Sequence, residues 1–230
     1  MDSCPDWYAD KPLQKALLLL LCIVSVRAGL LADAERWVPE TLISAAYQDY
    51  GREAGDTVSA WREELHRLSG SSEKEKLIGV NRFINNAFPF VSDLKHWQKD
   101  DYWATPFESI ATRGGDCEDY VIAKYYSLRQ LGVDTNKLRI TYVKAIRLNQ
   151  AHMVLTYFPQ PDAIPYVLDN LTGKILPASE RPDLSPVYSF NGEGMWLERM
   201  KGEGIRMGNP NKLDLWTDLR IRMNELGMDL

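Results

Sequence analysis

Apolar side chains in the first half of the chain recur at the three- and four-residue spacing of helices. Between residues 36 and 69 these positions are Trp37, Leu42, Ile43, Tyr47, Trp61, Leu65 and Leu68. Ser72 followed by Glu75 is a capping-box signature, which predicts another helix that ends before Pro89. A similar pattern predicts an amphipathic helix near the C-terminus through Leu213, Trp216, Leu219, Ile221 and Leu226.

The segment from residue 113 to Gly132 carries one apolar stripe at helical spacing and predicts a helix with a special first residue. Asp116 suits the N-cap position, and Asp119 lies in the first turn, where acidic residues are favoured. Cys117 would be the first helical residue, where the positive end of the helix dipole lowers the pKa of a thiol from about 8.5. Gly114 and Gly115 would let the backbone turn sharply and approach a substrate. This is a position typical of a nucleophile, although a lone thiol is also found buried and inert.

β-Branched residues in the second half of the chain favour three strands, at residues 138–146, 152–158 and 164–169. The run Pro159-Gln-Pro-Asp162 separates the last two and predicts a turn. A symmetric hairpin about this turn pairs residues whose numbers sum to about 321. That register places Tyr157 opposite Ile164 and His152 opposite Asp169. Because opposed side chains on one face lie about 4.5–5.5 Å apart at Cβ, we expect His152 and Asp169 to hydrogen-bond.

Cys117, His152 and Asp169 therefore form a candidate catalytic triad. His152 would accept the thiol proton and later protonate the leaving amine, and Asp169 would fix the imidazole tautomer. The backbone N–H of Cys117 would supply half of an oxyanion hole. The alternatives are a structural histidine and an aspartate that caps a turn. The joint fit of three residues to one geometry favours the catalytic interpretation.

Composition and charge place the chain among ordinary globular proteins. It has 230 residues, 45% of them hydrophobic and 26% charged, and a formal net charge of −5. The negative balance argues against a broad nucleic-acid-binding face. With three cysteines and no Cys/His metal spacing, neither a disulfide framework nor a zinc site is indicated.

The N-terminus predicts a secretory signal peptide. Lys11 and Lys15 precede an apolar run from Ala16 to Val26, which is too short to cross a bilayer. Cleavage after Ala28 is expected, and Ala32 is an alternative. We predict a signal peptide over residues 1–28 and a single domain over 33–230, with Cys117 as its only cysteine. An uncleaved signal anchor or a buried helix is the alternative.

Three motifs carry a family resemblance: Gly114-Gly-Asp-Cys-Glu-Asp-Tyr120, Ala151-His-Met-Val154 and Val167-Leu-Asp-Asn170. In this order they resemble the bacterial transglutaminase-like cysteine proteinases, and within them the periplasmic adhesin proteases of the LapG type. The likeness covers roughly residues 36 to 225. It implies an α+β papain/transglutaminase-like fold, in which a nucleophile at a helix N-terminus packs against an antiparallel sheet carrying the histidine and the aspartate.

The resemblance also implies an activity and partners. The expected enzyme is a periplasmic cysteine endopeptidase that cleaves a large surface adhesin near its N-terminus, at a double-alanine site, and so disperses biofilm. An inner-membrane cyclic-di-GMP receptor of the LapD type would sequester and inhibit it. The resemblance further implies calcium, held by Asp116 and Glu118. A divalent cation there would neutralise two carboxylates beside the thiolate and order the loop that presents Cys117.

Two other classes of function remain open from the sequence. The same thioester chemistry would serve an acyl transferase that passes the acyl group to an amine in place of water. A binding module that has kept the fold without catalysis is the other, although an intact Cys117, His152 and Asp169 argue against it. Comparing hydrolysis with amine incorporation on one peptide separates the two enzymes.

Overall fold

The helices of the chain come mostly before its strands, as the apolar pattern predicts. This computed structural model describes residues 37–197, 205–208 and 213–229. The helices are α1 (Glu40–Asp49), α2 (Arg52–Leu68), α3 (Glu73–Ala87), α4 (Asp93–His96), α5 (Pro106–Thr112), α6 (Cys117–Gln130) and α7 (Asp214–Glu225). The capping box predicted at the start of α3 is present, with the Glu75 N–H donating to Ser72 Oγ and the Ser72 N–H donating to Glu75.

The strands of the described chain form one antiparallel sheet in the order β4-β3-β2-β1-β5-β6-β7. They are β1 (Leu138–Ala145), β2 (Gln150–Tyr157), β3 (Tyr166–Leu168), β4 (Leu176–Pro177), β5 (Leu184–Phe190), β6 (Met195–Leu197) and β7 (Ile205–Gly208). The first three correspond to the three predicted strands, with ends that differ by up to two residues. The architecture is the expected α+β fold, an antiparallel sheet packed against helices.

Helix α6 is the centre of the molecule. It packs against β1 and β2 on one side and against α3 and α5 on the other. The sequence predicts one apolar stripe along this helix, yet the residues from Glu118 to Leu128 are all buried, including the polar Lys124 and Ser127. The hydroxyl of Ser127 accepts a hydrogen bond of 3.0 Å from the indole N–H of Trp61. Because other elements enclose the helix, the residues outside the expected apolar stripe are buried as well.

The two faces of the sheet contribute to different clusters. Ile140, Leu155 and Leu168 face the large core that contains α6. Val143, Val154 and Val167 point to the other face, where they form a smaller cluster with Ala178 and Leu184. The alternation of the two sets along the strands is the period of two expected for a sheet covered on both faces.

The predicted signal peptide, residues 1–28 or up to 32, lies outside the described residues. The boundary of the predicted domain at residue 33 therefore stays a prediction. Among the described helices, none combines the length and the apolar character needed to cross a bilayer.

The burial of α6 gives a stability prediction. Leu128 on α6 is fully buried, whereas Ile221 on α7 is 56% exposed. Leu128→Ala should lower the free energy of unfolding by about 2–5 kcal/mol, because it removes buried methyl groups and leaves a cavity. Ile221→Ala should change it by less than about 0.5 kcal/mol. Urea denaturation of both variants tests this, and similar losses in the two would contradict a central α6.

Candidate active site

The loop before α6 turns at Arg113, whose φ of 57° and ψ of 49° are left-handed. The prediction that Gly114 and Gly115 make this turn is therefore wrong. Because glycine has no Cβ, other side chains can pack closely against the backbone at both positions. A Cβ on Gly114 would lie 2.6 Å from the His96 ring, and one on Gly115 would lie 2.6 Å from Asp119 Oδ2. Direct contact of His96 and Asp119 with the loop backbone fixes the approach to α6.

Asp119 ties the start of α6 to the preceding segment. Its carboxylate is fully buried. It accepts the Asp116 N–H at 3.1 Å and the Ala104 N–H at 2.8 Å. Asp116 occupies the predicted N-cap, so Cys117 is the first residue of the helix as expected.

The thiol of Cys117 lies in an acidic environment. It donates a hydrogen bond to Glu118 Oε2 at 3.0 Å. Burial raises the pKa of Cys117 far above its usual range, and the carboxylates of Glu118 and Asp116 raise it further, against a smaller lowering by the backbone of Met153. The predicted lowering by the helix dipole is therefore wrong for the metal-free protein, in which burial and two adjacent carboxylates outweigh the helix N-terminus.

Five acidic residues lie close together at this end of α6: Asp93, Asp101, Asp116, Glu118 and Asp119. One carboxylate oxygen from each of Asp93, Asp101 and Glu118 lies within 4.8 Å of the others. Burial raises the pKa of Asp93 to about 6. Burial and the neighbouring Asp116 raise the pKa of Glu118 to about 10. The metal-free cluster therefore holds protons that isolated carboxyl groups would release near pH 4.

These carboxylates fit a calcium ion. Oδ1 of Asp93 and Oδ1 of Asp116 are buried, and neither has a hydrogen-bond partner among the described residues. Calcium takes six to eight oxygen ligands from carboxylates, carbonyls and water, and a cation would satisfy both atoms. Asp116 and Glu118 are the predicted ligands, and Asp93 and Asp101 join them as candidates that sequence reasoning missed. No motif marks those two, since they come from another segment of the chain.

His152 and Asp169 form the predicted hydrogen bond. Nε2 of His152 lies 2.8 Å from Oδ1 of Asp169, and both side chains are buried. Burial alone would raise the pKa of Asp169, but hydrogen bonds from His152, the Leu171 N–H and Arg181 outweigh it and lower that pKa to about 2. An ionised Asp169 can only accept, so Nε2 of His152 carries the hydrogen and Nδ1 remains free to act as a base.

The pairing that we predicted behind this contact is wrong in its register. Tyr157 pairs with Tyr166 and Leu155 with Leu168, which shifts β3 by two residues from the symmetric hairpin. A shift of two residues in the register keeps each side chain on the same face of the sheet, whereas a shift of one residue would have moved the Asp169 side chain to the other face. His152 and Asp169 are therefore diagonal neighbours, which their side chains span.

Two buried cations near Asp169 were not predicted from the sequence. Nη2 of Arg181 donates to Asp169 Oδ2 at 2.7 Å and to Asp183 Oδ2 at 2.8 Å. Lys124 on α6 is fully buried, and burial lowers its pKa to about 7 against the attraction of Asp169. Arg181 comes after a separate turn, and Lys124 lies within an apolar helical pattern, so spacing gave no signal for either.

Cys117 and His152 line the same cavity, which has a volume of about 580 Å³. Tyr142, Tyr188 and Trp103 give it apolar walls, and the acidic residues lie at the same place. A thiol and an imidazole base that share a cleft, with a carboxylate orienting the base, can carry out nucleophilic acyl transfer.

Comparison with known proteins gives consistent matches. Residues 39–184 match the family described as bacterial transglutaminase-like cysteine proteinase. The solved structure of Legionella pneumophila LapG is 42% identical and covers 80% of this chain and 96% of its own, with a TM-score of 0.70. The calcium-bound form of that protein is also 42% identical, covers 79% of this chain and 97% of its own, and has a TM-score of 0.68. Among curated proteins no sequence matches.

The acidic cluster predicts an unusual pH dependence of stability. Because Glu118 and Asp93 have raised pKa values in the fold, these two groups hold more protons in the folded metal-free protein than in the unfolded chain above about pH 4, and together they outweigh the opposite effect of Lys124 between about pH 5.5 and 8. Stability should then fall as the pH rises. With chelator present, the melting temperature should be higher at about pH 5.5 than at about pH 8. Glu118→Gln should flatten this dependence, whereas a melting temperature that rises with pH would contradict it.

Proposed function

We propose that this chain, which belongs to the family of bacterial transglutaminase-like cysteine proteinases, is a calcium-dependent cysteine endopeptidase of the periplasm. Its substrate would be a large cell-surface adhesin, cut near its N-terminus at a double-alanine site. Cleavage would release the adhesin and disperse the biofilm. The resemblance of the three sequence motifs to the adhesin proteases of the LapG type supports this substrate and setting, and the 42% identity to Legionella pneumophila LapG supports the cysteine proteinase family.

One observation carries the catalytic part of the proposal. Nε2 of His152 is held by Asp169 at 2.8 Å, and the imidazole lines the cavity that also contains the Cys117 thiol. This arrangement directs Nδ1 of His152 toward catalysis and keeps the ring in one tautomer. We assign Cys117 as the nucleophile, His152 as the general base and acid, and Asp169 as the residue that orients the imidazole.

The reaction would begin with transfer of the Cys117 proton to Nδ1 of His152. The thiolate attacks the carbonyl carbon of the scissile peptide bond, and the backbone N–H of Cys117 at the start of α6 stabilises the oxyanion. The imidazolium then protonates the leaving amine, and a thioester remains on Cys117. Water, deprotonated by His152, attacks the thioester, and the sulfur leaves as the thiol after taking back the proton.

The acidic cluster has a defined place in this scheme. Asp93, Asp101, Asp116 and Glu118 would hold calcium, whose charge would offset the carboxylates that disfavour a thiolate at Cys117. In the metal-free protein Glu118 accepts the thiol hydrogen. If Glu118 bound calcium instead, the Cys117 thiol would be free to donate its proton to His152.

An inhibitory partner completes the proposal. A cyclic-di-GMP receptor of the LapD type in the inner membrane would bind the protease and keep it from the adhesin when the nucleotide is abundant. The family resemblance alone supports this partner. Binding of the purified receptor domain, with and without the nucleotide, is its direct test.

The central test is cleavage of an adhesin N-terminal fragment that contains a double-alanine site. With calcium, the protein should cut the fragment once, and Cys117→Ala should abolish cutting. Asp169→Asn should lower kcat by at least about 10²-fold. The amide oxygen then accepts from Arg181, the amide N–H faces Nε2 of His152, and the imidazole is held in the wrong tautomer. Adding hydroxylamine distinguishes the alternatives, since a transferase would form the hydroxamate in preference to the acid. Absence of cleavage with calcium present would contradict the proposal.

The calcium assignment has a matched pair of variants. Asp101 belongs to the group of close carboxylates, whereas its neighbour Asp100 lines the cavity outside any such group among the described residues. Asp101→Asn should weaken calcium binding by at least about tenfold, because affinity depends on the charge count of the ligands. Asp100→Asn should leave it within about twofold. Calorimetric titration measures both, and equal affinities would remove Asp101 from the site.

A further inference from the structure

A second cavity, of about 330 Å³, lies on the sheet face opposite the α6 core. Its apolar floor consists of Val143, Val154 and Val167, and Ala178 and Leu184 also line it. The volume is at the lower end of the range for small-molecule sites, which are mostly apolar with a few polar groups. The proposed chemistry at Cys117 makes no use of this cavity.

The cavity adjoins the residues that orient His152. Val143 on β1 pairs directly with His152 on β2, and Val154 lies two residues further along β2. Arg181 is itself part of the cavity lining. Its Nη2 atom donates to Asp169, which holds His152 through the other carboxylate oxygen. A molecule in the cavity would therefore contact a side chain that is one hydrogen bond from the candidate triad.

One nitrogen of the Arg181 guanidinium, Nη1, has two N–H groups that are unused among the described residues. The Arg181 side chain is 6% exposed, and Nη1 is buried without a hydrogen-bond partner in the described part of the chain. A buried donor left unpaired costs free energy, so an acceptor that reaches Nη1 would be stabilised. The other donors are occupied, because Nε and Nη2 bind Asp183 and Nη2 also binds Asp169.

Charge decides what kind of acceptor fits. Arg181 already faces two carboxylates, Asp169 and Asp183, so a third carboxylate would be repelled. An uncharged carbonyl oxygen avoids this repulsion. The three valines and Leu184 suit a branched aliphatic group of the size of a leucine side chain.

We propose that this cavity binds a small uncharged amide with a branched aliphatic body, whose carbonyl accepts from Arg181. Binding moves the guanidinium and, through Asp169, changes how His152 is held. The binding site stands on the cavity alone, whereas its effect on the reactive thiol rests on the proposed function.

The first experiment measures binding to the full-length chain by methyl NMR. The probe is N-acetyl-L-leucinamide, which has about 12 non-hydrogen atoms and so an expected Kd in the millimolar range. It should shift the methyl signals of Val143, Val154 and Val167 in a saturable manner. N-acetyl-L-leucinate, with its carboxylate, should bind at least about tenfold more weakly. No saturable shifts, or equal binding of the two probes, would overturn the proposed ligand class.

Two substitutions provide the matched controls. Ala178→Leu places extra methyl groups in the cavity and should abolish the probe-induced shifts. Ala60→Leu adds the same group at a partly buried site on α2, away from the sheet, and should leave probe affinity within about twofold. Binding that persists in Ala178→Leu would place the probe elsewhere and overturn the site.

The second experiment measures the effect on Cys117 without any peptide substrate. The rate of alkylation of Cys117 by iodoacetamide, followed by mass spectrometry of its peptide, reports how the thiol is activated. Saturating N-acetyl-L-leucinamide should change this rate at least about twofold in the native protein, but not in Ala178→Leu. An unchanged rate at saturation would overturn the coupling. Both readouts are independent of adhesin cleavage, so their failure is distinct from failure of the proposed protease.

Discussion

The enclosure of α6 is the constraint on which the rest of the molecule depends. The helix is covered by the sheet on one side and by α3 and α5 on the other. Its middle is buried, whereas its N-terminal end, where Cys117 lies, lines a cavity. The buried Asp119 anchors this end by accepting from two backbone N–H groups. The position of the thiol therefore follows from packing of the whole helix.

Two groups of carboxylates in this fold differ in how their negative charge is compensated, and their pKa values shift in opposite directions. Asp169 is compensated by Arg181 and His152, and its pKa falls to about 2. Around Glu118 the neighbouring Asp116 and Asp119 add to the effect of burial, and the pKa of Glu118 rises to about 10. A compensated carboxylate can orient a histidine without a metal. Ionised carboxylates without a compensating cation repel one another, and the divalent ion proposed beside the thiol would relieve this repulsion.

Arg181 links two parts of the structure that the sequence keeps separate. It follows the short strand β4, yet its guanidinium lies between Asp169 and Asp183 and lines the cavity behind the sheet. The orientation of His152 therefore depends on a residue outside the family motifs that identify the triad. Changes in the cavity behind the sheet have a short physical route to the active site.

The sequence by itself determined the helical first half, the first three strands and the start of α6 at Cys117. These features follow from local rules, namely apolar periodicity, N-capping and β-branched runs. The sequence also predicted the contact between His152 and Asp169. Side chains alternate between the two faces of a strand, so an error of two residues in the register left this prediction intact. The short strands β4, β6 and β7 carry too few residues for such a pattern.

Only the tertiary structure decided the charges around the site. Asp93 and Asp101 join Asp116 and Glu118 across separate segments, and Arg181 and Lys124 approach Asp169 in the same way. It also reversed the expected pKa shift of Cys117, because burial and neighbouring carboxylates outweigh the helix N-terminus. Desolvation and charge proximity are properties of the packed molecule, and no spacing along the chain encodes them.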